Sequence, residues 1–481
     1  NSFLYPGASG PPTPYDVANS VRFNDGDSAF LSKTLGTGTN TTKLTVSVWI
    51  KRGALGTEQQ IFETWNDNNN RFDILFKSST DQLEIQNTLS GSTTINLKTN
   101  RVFRDPTAWM HIAVIVDSTQ GTDSNRVKLY INGIQETSFA TETYLNQNAN
   151  LALGTSSYTN FIGKYSSSGN NFFDGYMCEV VYLDGTAASI GDLGEFDSDS
   201  PTIWKPIDVS GLTFGNNGAY LDFEDSSNLG NDANGGTDYG ETNIAATDQT
   251  TDTCTNNFAT LNPLDNYHAG GTFAEGNTYY TSVSSKHDFA VSTFAITSGK
   301  WYAEFKVHQD TDYNAIGISD HSYQGSNQEL SEDNYSYAYI NYDSSNSIVR
   351  GNGSNILTSM PLFGNGDIIG VALDLDNHKL YFRKNGDAWI NSGNPESGST
   401  GTGAVSIQDL SSVTSTYGQG VYFFAVGLWN TSASGSYDAN FGNPAFAISS
   451  GNADANGYGN FEYSVPSGYY SLCTKNLAEY G

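Results

Sequence analysis

Two phrases about 250 residues apart each place an Asn-Gly pair directly after an apolar, strand-like run. The first reads WMHIAVIVD and then RVKLYINGIQ between Trp109 and Gln135, and the second reads GDIIGVALDLDNHKLYFRKNGDAWI over Gly366–Ile390. Asn-Gly is typical of a two-residue hairpin turn because both turn positions need a positive φ. We therefore predict the same hairpin once in each of two related β-sandwiches, with chance similarity of two hairpins as the alternative.

Many other short runs alternate apolar and polar residues with the period of two that is typical of strands. Between them stand clusters of Gly, Ser, Thr and Asn, including 50 Gly in the whole chain, as turns between short strands require. The sequence thus predicts an all-β protein. Its further predicted strands are Ser20–Phe23, Leu44–Ile50, Gln60–Glu63, Phe72–Phe76, Leu83–Gln86 and Asp174–Leu183.

The predicted organisation has two antiparallel sandwiches in tandem, joined by a Gly- and Asn-rich connector. Prolines at 11, 12 and 14 favour an extended opening segment, and the connector carries one strand-like island at Ala219–Phe223. A connector this long is expected to pack along the sandwiches. The predicted parts are an arm at 1–19, a first sandwich at 20–186, the connector at 187–265, a second sandwich at 266–442 and a C-terminal extension at 443–481.

The charge of the chain excludes one class of partner. Its 51 acidic and 22 basic residues give a net charge of −29, which repels a nucleic-acid backbone. We also expect no membrane insertion, because no stretch approaches the roughly 18 consecutive apolar residues of a spanning helix. The three cysteines, Cys178, Cys254 and Cys473, form no CxxC pair, so we expect three thiols rather than a zinc site or a disulfide framework.

Longer strings carry a resemblance to known families. The first half resembles the LamG-like jelly-roll domains of the concanavalin A-like superfamily, in LTVSVWIKRG, AWMHIAVIVD, KLYINGIQ and FFDGYMCEVVYLDG. The second half resembles a SPRY domain, in SGKWYAEFKV, NAIGISD, GDIIGVALDLDNHKLYFRKNG and GVYFFAVGLW. The resemblance implies two concanavalin A-like sandwiches in tandem.

The combination of strings resembles a class of virion structural proteins of aquatic tailed bacteriophages, described as tail-fibre-like. It includes RFNDGDSAFLSKT, VFRDPTAWMHI, the linker TTDTCTNNFATLNPLD and the closing VPSGYYSLCTKNL. The resemblance implies a non-enzymatic, receptor-binding protein of the virion, assembled in the host cytoplasm. Its implied partners are other virion proteins and a host-surface glycan or protein, with a homo-oligomer as a further expectation. A capsid or tail decoration protein without receptor binding is the alternative hypothesis, and a glycan depolymerase is the third.

No catalytic residues are predicted. Glycosidases on this fold need two carboxylates roughly 5 to 10 Å apart, and the nearest string, Glu195-Phe196-Asp197, lies in a loop-like stretch. His111 lies within the strand-like run MHIAVIV, where a packed, hydrogen-bonded imidazole is expected.

Ligand binding is predicted in loops that combine Asn, Asp and aromatic residues, the types that hold sugar hydroxyls and the apolar face of a sugar ring. The first sandwich offers WNDNNNRF over Trp65–Phe72, and the second offers HSYQGSNQELSEDNYSYAY and the turn after its Asn-Gly pair. The candidate contacts are Tyr323, Asn327, Asp333, Tyr335, Trp389, Asn391 and Asn68. Gly133 and Gly386 are assigned to turn geometry alone.

No cofactor is expected, with calcium as the one alternative. LamG-like domains sometimes hold calcium at the sandwich rim through carboxylate and carbonyl oxygens. Asp25, Asp27 and Asp174 are the candidates, and a solvated turn is the default for each.

Overall fold

The structure is a computed structural model. It describes residues 15–153, 156–165, 171–266, 270–309, 312–320, 329–332, 335–343, 345–412, 420–429 and 432–481. Strands make up 44% of the described residues and helices 6%, so the all-β prediction is confirmed. The predicted architecture of antiparallel β-sandwiches is confirmed as well.

The first half contains eighteen of the described strands. They are β1 (Ser20–Phe23), β2 (Phe30–Thr34), β3 (Lys43–Arg52), β4 (Gln59–Asp67), β5 (Asn70–Phe76), β6 (Gln82–Leu89), β7 (Ser92–Val102), β8 (Met110–Asp117), β9 (Val127–Ile131), β10 (Ile134–Glu136), β11 (Phe139–Thr143), β12 (Thr159–Ile162), β13 (Gly175–Asp184), β14 (Glu195–Phe196), β15 (Trp204–Lys205), β16 (Ala219–Leu221), β17 (Gly240–Thr242) and β18 (Gln249–Thr250).

The second half contains the other described strands and a terminal α-helix. They are β19 (Leu261–Asn266), β20 (Thr272–Ala274), β21 (Tyr279–Thr281), β22 (Asp288–Ser292), β23 (Lys300–Gln309), β24 (Asn314–Ser319), β25 (Tyr337–Asp343), β26 (Asn346–Gly351), β27 (Ser354–Met360), β28 (Ile368–Asp374), β29 (Lys379–Lys384), β30 (Val405–Ser406), β31 (Phe423–Leu428), β32 (Ser436–Asn440) and α1 (Thr474–Tyr480). Short 3-10 turns lie at Asp123–Asn125, Ile190–Asp192, Ala246–Asp248, Ile390–Ser392, Pro395–Thr400 and Leu410–Ser412.

Two antiparallel sheets form the first sandwich. Sheet I has the order β10-β9-β8-β3-β13-β1-β18, with β16 also paired to β13, and sheet II has the order β11-β7-β6-β5-β4-β12-β2-β17. Alternate side chains of both sheets point inward and form one apolar core, which includes Val48, Ile112, Phe62 and Ile85. The alternation in LTVSVWI points Leu44, Val46, Val48 and Ile50 of β3 into this core.

The second half repeats this design. Sheet III has the order β19-β22-β31-β24-β25-β26-β27, and sheet IV has the order β20-β21-β32-β23-β28-β29-β30. Trp301, Phe305, Ile316 and Phe424 belong to the core between them. Trp301 is fully buried.

Both Asn-Gly pairs form the predicted turns. Asn132 and Gly133 have φ values of 48° and 75°, and Asn385 and Gly386 have values of 49° and 72°. Asn132 Oδ1 accepts the backbone N–H of His111 at 2.7 Å, and Asn385 Oδ1 accepts that of Ile368 at 2.8 Å. The same hydrogen bond therefore connects the turn to the start of the preceding long strand in both halves, which is β8 in the first half and β28 in the second.

The connector does more than pack on the first sandwich, because it adds strands to both of its sheets. The predicted island forms β16 on β13, while β17 pairs with β2 and β18 pairs with β1. Connector residues Val209 and Phe214 also cover the outer side of sheet I. In the second half, Phe461 and Tyr469 of the C-terminal extension cover the outer side of sheet IV in the same way.

His111 has the environment that was expected from its sequence context. The imidazole is fully buried, with Ser47 Oγ 2.7 Å from Nε2, and Trp204 Nε1 donates to Nδ1 at 3.1 Å. Burial lowers the pKa of His111 to about 3, so the ring is neutral at physiological pH.

Candidate functional site

The outward side of sheet II carries a patch of polar and aromatic side chains, which we call the polar face. It consists of Trp65, Arg71, Asp73, Gln86 and Tyr165. Phe72 and Ile74 alternate with Arg71 and Asp73 along β5 and point into the core, so the pleat of the strand aims the two charged residues outward.

Arg71 organises the polar face through three hydrogen bonds. Its guanidinium donates to Asp73 Oδ2 at 2.9 Å, to the hydroxyl of Tyr165 at 2.9 Å and to Gln86 Oε1 at 2.8 Å. Trp65 packs edge-on against Tyr165, with ring centroids 5.7 Å apart. Because these partners come from three strands and a loop, the planar groups are fixed before any ligand arrives, which lowers the entropy cost of binding.

The carboxyl groups of Asp73 and of its neighbour Glu63 are buried at the base of this patch. Burial raises the pKa of Asp73 to about 6, against the opposing effects of Arg71 and of hydrogen bonds from Glu63 and Gln60. Asp73 and Glu63 are hydrogen-bonded to each other, which places their carboxyl groups closer than the roughly 5 Å or more that glycosidase pairs require. This pair therefore suits an anchoring role better than general acid–base catalysis.

Asn68 lies at the turn of the hairpin that carries the polar face. The turn between β4 and β5 is held by Asp67 Oδ1, which accepts the backbone N–H of Asn69 at 2.8 Å and the amide of Asn70 at 3.0 Å. Asn68 itself is exposed. The structure thus brings this candidate to the same end of the hairpin as Trp65.

The candidates of the second half have different surroundings. Tyr323, Asn327 and Asp333 lie outside the described residues. Tyr335 precedes β25 of sheet III and packs, partly buried, against the second core.

Trp389 and Asn391 follow β29 of sheet IV, so they belong to the other layer of that sandwich. The indole of Trp389 is half-buried and lies 4.8 Å from the guanidinium of Arg383. Asn391 is exposed and donates to the carbonyl of Gly403 at 3.3 Å. These two residues remain candidate contacts in one turn, separate from Tyr335.

The calcium candidates come together at the contact between the two halves. Burial raises the pKa of Asp174 to about 8, with a further contribution from the charge of Asp25, to which it is hydrogen-bonded. Asp27 Oδ2 accepts from Asn24, whose amide also donates to Glu275 Oε1 at 2.6 Å. Within the described part of the chain, no three His, Cys, Asp or Glu side chains are arranged to hold a metal ion.

Of the residues of the polar face, only Trp65 and Arg71 lie in the loop that was predicted from the sequence, Trp65–Phe72. Arg71, Asp73, Gln86 and Tyr165 are separated by up to 94 positions and meet only through strand pairing and the loop after β12. One signal was available, since Arg71 and Asp73 are the polar positions of the alternating run that ends in DILF.

Comparison with known protein families confirms the two-part architecture. Residues 24–187 match the family model described as the concanavalin A-like lectin/glucanases superfamily, and residues 300–398 match the SPRY domain model. The two matched segments support a LamG-like, concanavalin A-like domain in the first half and a SPRY domain in the second.

Several solved structures are similar to parts of the chain. The SPRY domain of human HERC1 is 14% identical, with a TM-score of 0.29, over 37% of this chain and 96% of that one. A putative carbohydrate binding protein from Bacteroides ovatus is 17% identical, with a TM-score of 0.35, over 50% and 61% of the two chains. The pentraxin from Limulus polyphemus is 17% identical, with a TM-score of 0.28, over 37% and 80%.

No curated protein matches this sequence. Among the helices of the described residues, none has the length and apolar character needed to cross a membrane.

Proposed function

We propose that this chain is a non-enzymatic structural protein of a phage virion, tail-fibre-like and receptor-binding, whose first sandwich holds host-surface glycan on the polar face. The observation that carries the glycan part is the fixed cluster of Arg71, Tyr165 and Trp65 on the outward side of a lectin-like sheet. An aromatic ring beside a planar, hydrogen-bonding guanidinium offers a sugar both an apolar contact and directed polar partners.

The absence of catalysis belongs to the same proposal. The hydrogen bond between Asp73 and Glu63 leaves no room between them for a glycosidic bond and a water molecule. Both groups are buried below the face, where they can fix Arg71 and neighbouring side chains. Turnover of a polysaccharide by the folded chain would contradict this part.

Glycan recognition can be tested by displaying the chain multivalently and measuring its binding to intact candidate host cells and to a glycan array. We expect saturable binding, and we expect Trp65→Ala to weaken it by up to about tenfold, because packing of a sugar's apolar face on an aromatic ring contributes on the order of 0.5–1.5 kcal/mol. Phe196→Ala is the matched control, since Phe196 is an aromatic residue that is 40% exposed on the separate β14–β15 pair.

Trp389→Ala and Tyr335→Ala, checked for folding by circular dichroism, test the loops of the second half in the same assay. Loss of binding in these variants alone would move the site from the first sandwich to the second. If the multivalent wild type does not bind, this would contradict receptor binding and favour the hypothesis of a capsid or tail decoration protein.

The virion part rests on the strings that resemble tail-fibre-like proteins, and it needs a separate test. We expect antibodies against this chain to label purified phage particles in immunogold electron microscopy. Labelling at the tail tip would support host attachment, whereas labelling over the capsid would support decoration.

A further inference from the structure

A lysine, an asparagine and an aspartate meet in the buried contact between β3 and the end of the connector. Lys51 is fully buried, and its Nζ lies 2.7 Å from Asn257 Oδ1, 2.8 Å from Asp252 Oδ2 and 2.8 Å from the carbonyl of Phe258. Asp252 is fully buried as well. The amine is thus held within hydrogen-bond distance of both a carboxamide and a carboxylate. The amine and the carboxylate are shielded from bulk water, and Asn257 is half-buried.

The side chains around this cluster fix its orientation. Asp252 Oδ1 accepts from Trp109 Nε1 at 2.9 Å, so Oδ2 is the oxygen that faces Lys51. The amide nitrogen of Asn257 donates to the carbonyl of Thr107 at 2.8 Å, so its Oδ1 faces Lys51. The carbonyl carbon of Asn257, which is the atom that an amine would attack, is one bond from the oxygen that Nζ contacts.

The environment also favours the nucleophilic form of the amine. Burial lowers the pKa of Lys51, against the opposing charge of Asp252. In a site of low polarity, transfer of one proton from the ammonium to the neighbouring carboxylate replaces an ion pair by two neutral groups. The neutral amine has the lone pair that attack on a carbonyl requires.

We propose that Lys51 and Asn257 join in an autocatalytic intramolecular isopeptide bond, with Asp252 carrying the protons. Asp252 accepts a proton from Nζ, and the Nζ lone pair then forms a bond to Cγ of Asn257 while the C=O pair moves to Oδ1. A second Nζ proton passes to Nδ2, the Cγ–Nδ2 bond breaks, the C=O bond re-forms and ammonia leaves. Starting from the ammonium–carboxylate pair, the products are a secondary amide, ammonia and protonated Asp252, so atoms and charge balance without an oxidant or a co-reactant.

The bond would close a covalent ring between positions 206 residues apart. Lys51 belongs to the central strand of sheet I, and Asn257 lies just before β19, where the chain enters the second half. A cross-link here restricts the unfolded chain over a long loop, as a disulfide does, and it also resists reducing agents. Such a bond would protect the junction of the two halves during attachment.

The test is intact-mass spectrometry of the purified, reduced and denatured chain, followed by peptide mapping. We expect a mass lower than the sequence mass by one ammonia molecule, and a branched peptide that joins the segments around Lys51 and Asn257. Lys51→Met, Asp252→Asn and Asn257→Ser should each give the full sequence mass. Asn443→Ser is the matched control. Asn443 also lies next to Asp252, to which its amide donates at 3.5 Å, but it is not the asparagine that contacts Lys51. This variant should keep the lower mass.

The mass of the wild-type chain shows whether the isopeptide bond forms, even if a variant fails to fold. A folded wild type, shown by cooperative unfolding, that has the full sequence mass and separate peptides for Lys51 and Asn257 would overturn the proposal and leave a buried ion pair. Conversion of Asn257 to aspartate without a branched peptide would overturn it as well.

Discussion

At the scale of single residues, Glu179 is a buried acid with an altered proton affinity. It lies 5% exposed in β13 at a bulge, with a φ of 50°, and its carboxylate accepts from the hydroxyls of Tyr220 at 2.9 Å and Tyr15 at 3.0 Å. Burial raises the pKa of Glu179 to about 7; the charges of Asp222 and Glu224 add to this, while the two hydroxyls oppose it. The folded chain therefore binds this proton more tightly than the unfolded chain does.

This difference predicts a pH dependence of opposite sign to that of an ion-paired carboxylate. The contribution of Glu179 to stability is complete below its ordinary pKa of 4.5 and is lost as the pH rises towards 7. Glu179→Gln removes this titrating group. The free energy of unfolding of the variant should therefore fall less steeply with pH than that of the wild type, and the two slopes should differ by up to about 1.4 kcal/mol per pH unit. Thermal unfolding followed by circular dichroism from pH 4.5 to 7.5 measures both slopes.

Glu195→Gln controls for the change in net charge, because Glu195 is an exposed carboxylate on β14. It should leave the slope of the wild type unchanged. Equal slopes in the wild type and Glu179→Gln would contradict the assignment.

At the scale of elements, the turn between β9 and β10 shows why a glycine is needed at one position. Gly133 has a φ of 75°, and a Cβ built there would lie 2.2 Å from the ring of Trp204. Gly386 repeats the situation in the second half, where the added atom would lie 2.4 Å from the ring of Tyr463. The glycines therefore serve the turns, as the sequence predicted, and also the close packing of a later segment on each hairpin.

Substitution can separate the two effects. Gly56 has a φ of 76° and nothing within 4 Å of an added Cβ, so Gly56→Ala should lose only the backbone contribution, about 1–2 kcal/mol. Gly133→Ala should lose a further 1–3 kcal/mol or so, because the indole must shift in a packed site. Urea unfolding of both variants measures the difference, and equal losses would show that the ring of Trp204 adapts without cost.

At the scale of the whole molecule, the two halves share buried polar contacts. Arg22 of β1 is 1% exposed and donates to Glu275 Oε2 at 3.0 Å and to the carbonyl of Pro444 at 3.3 Å. Asn277 donates to the carbonyl of Gly53 at 3.1 Å, across the same contact. Unfolding of either half breaks these hydrogen bonds and the ion pair between Arg22 and Glu275, so each half stabilises the other and the halves should unfold together.

Removal of the arginine tests this coupling. We expect one calorimetric transition for the wild type, and we expect Arg22→Met to lower stability by about 3–5 kcal/mol and to split the transition, because Glu275 loses its buried counterion. Arg104→Met is the control: Arg104 is 55% exposed and pairs with Asp81 within the first half, so its loss should cost at most about 1 kcal/mol. Two transitions in the wild type would contradict the coupling.

The sequence by itself determined the features that depend on neighbouring residues. Alternation placed strands such as Ser20–Phe23, and the Asn132-Gly133 and Asn385-Gly386 pairs predicted their turns, because positive φ and the period of two are local properties of the backbone. Strings of this kind also predicted a LamG-like half and a SPRY half, which the family comparisons confirm.

Only the tertiary structure decided which distant residues meet. The short connector strands β17 and β18 show no alternation of their own and form because an edge strand of the first sandwich is available to pair with them. The side-chain contacts of Arg71 with Tyr165 and of Lys51 with Asn257 also depend on the fold, because these residues lie 94 and 206 positions apart. The physical reason is that burial, hydrogen-bond partners and proton affinities are set by groups that the fold brings together, and spacing along the chain carries no record of them.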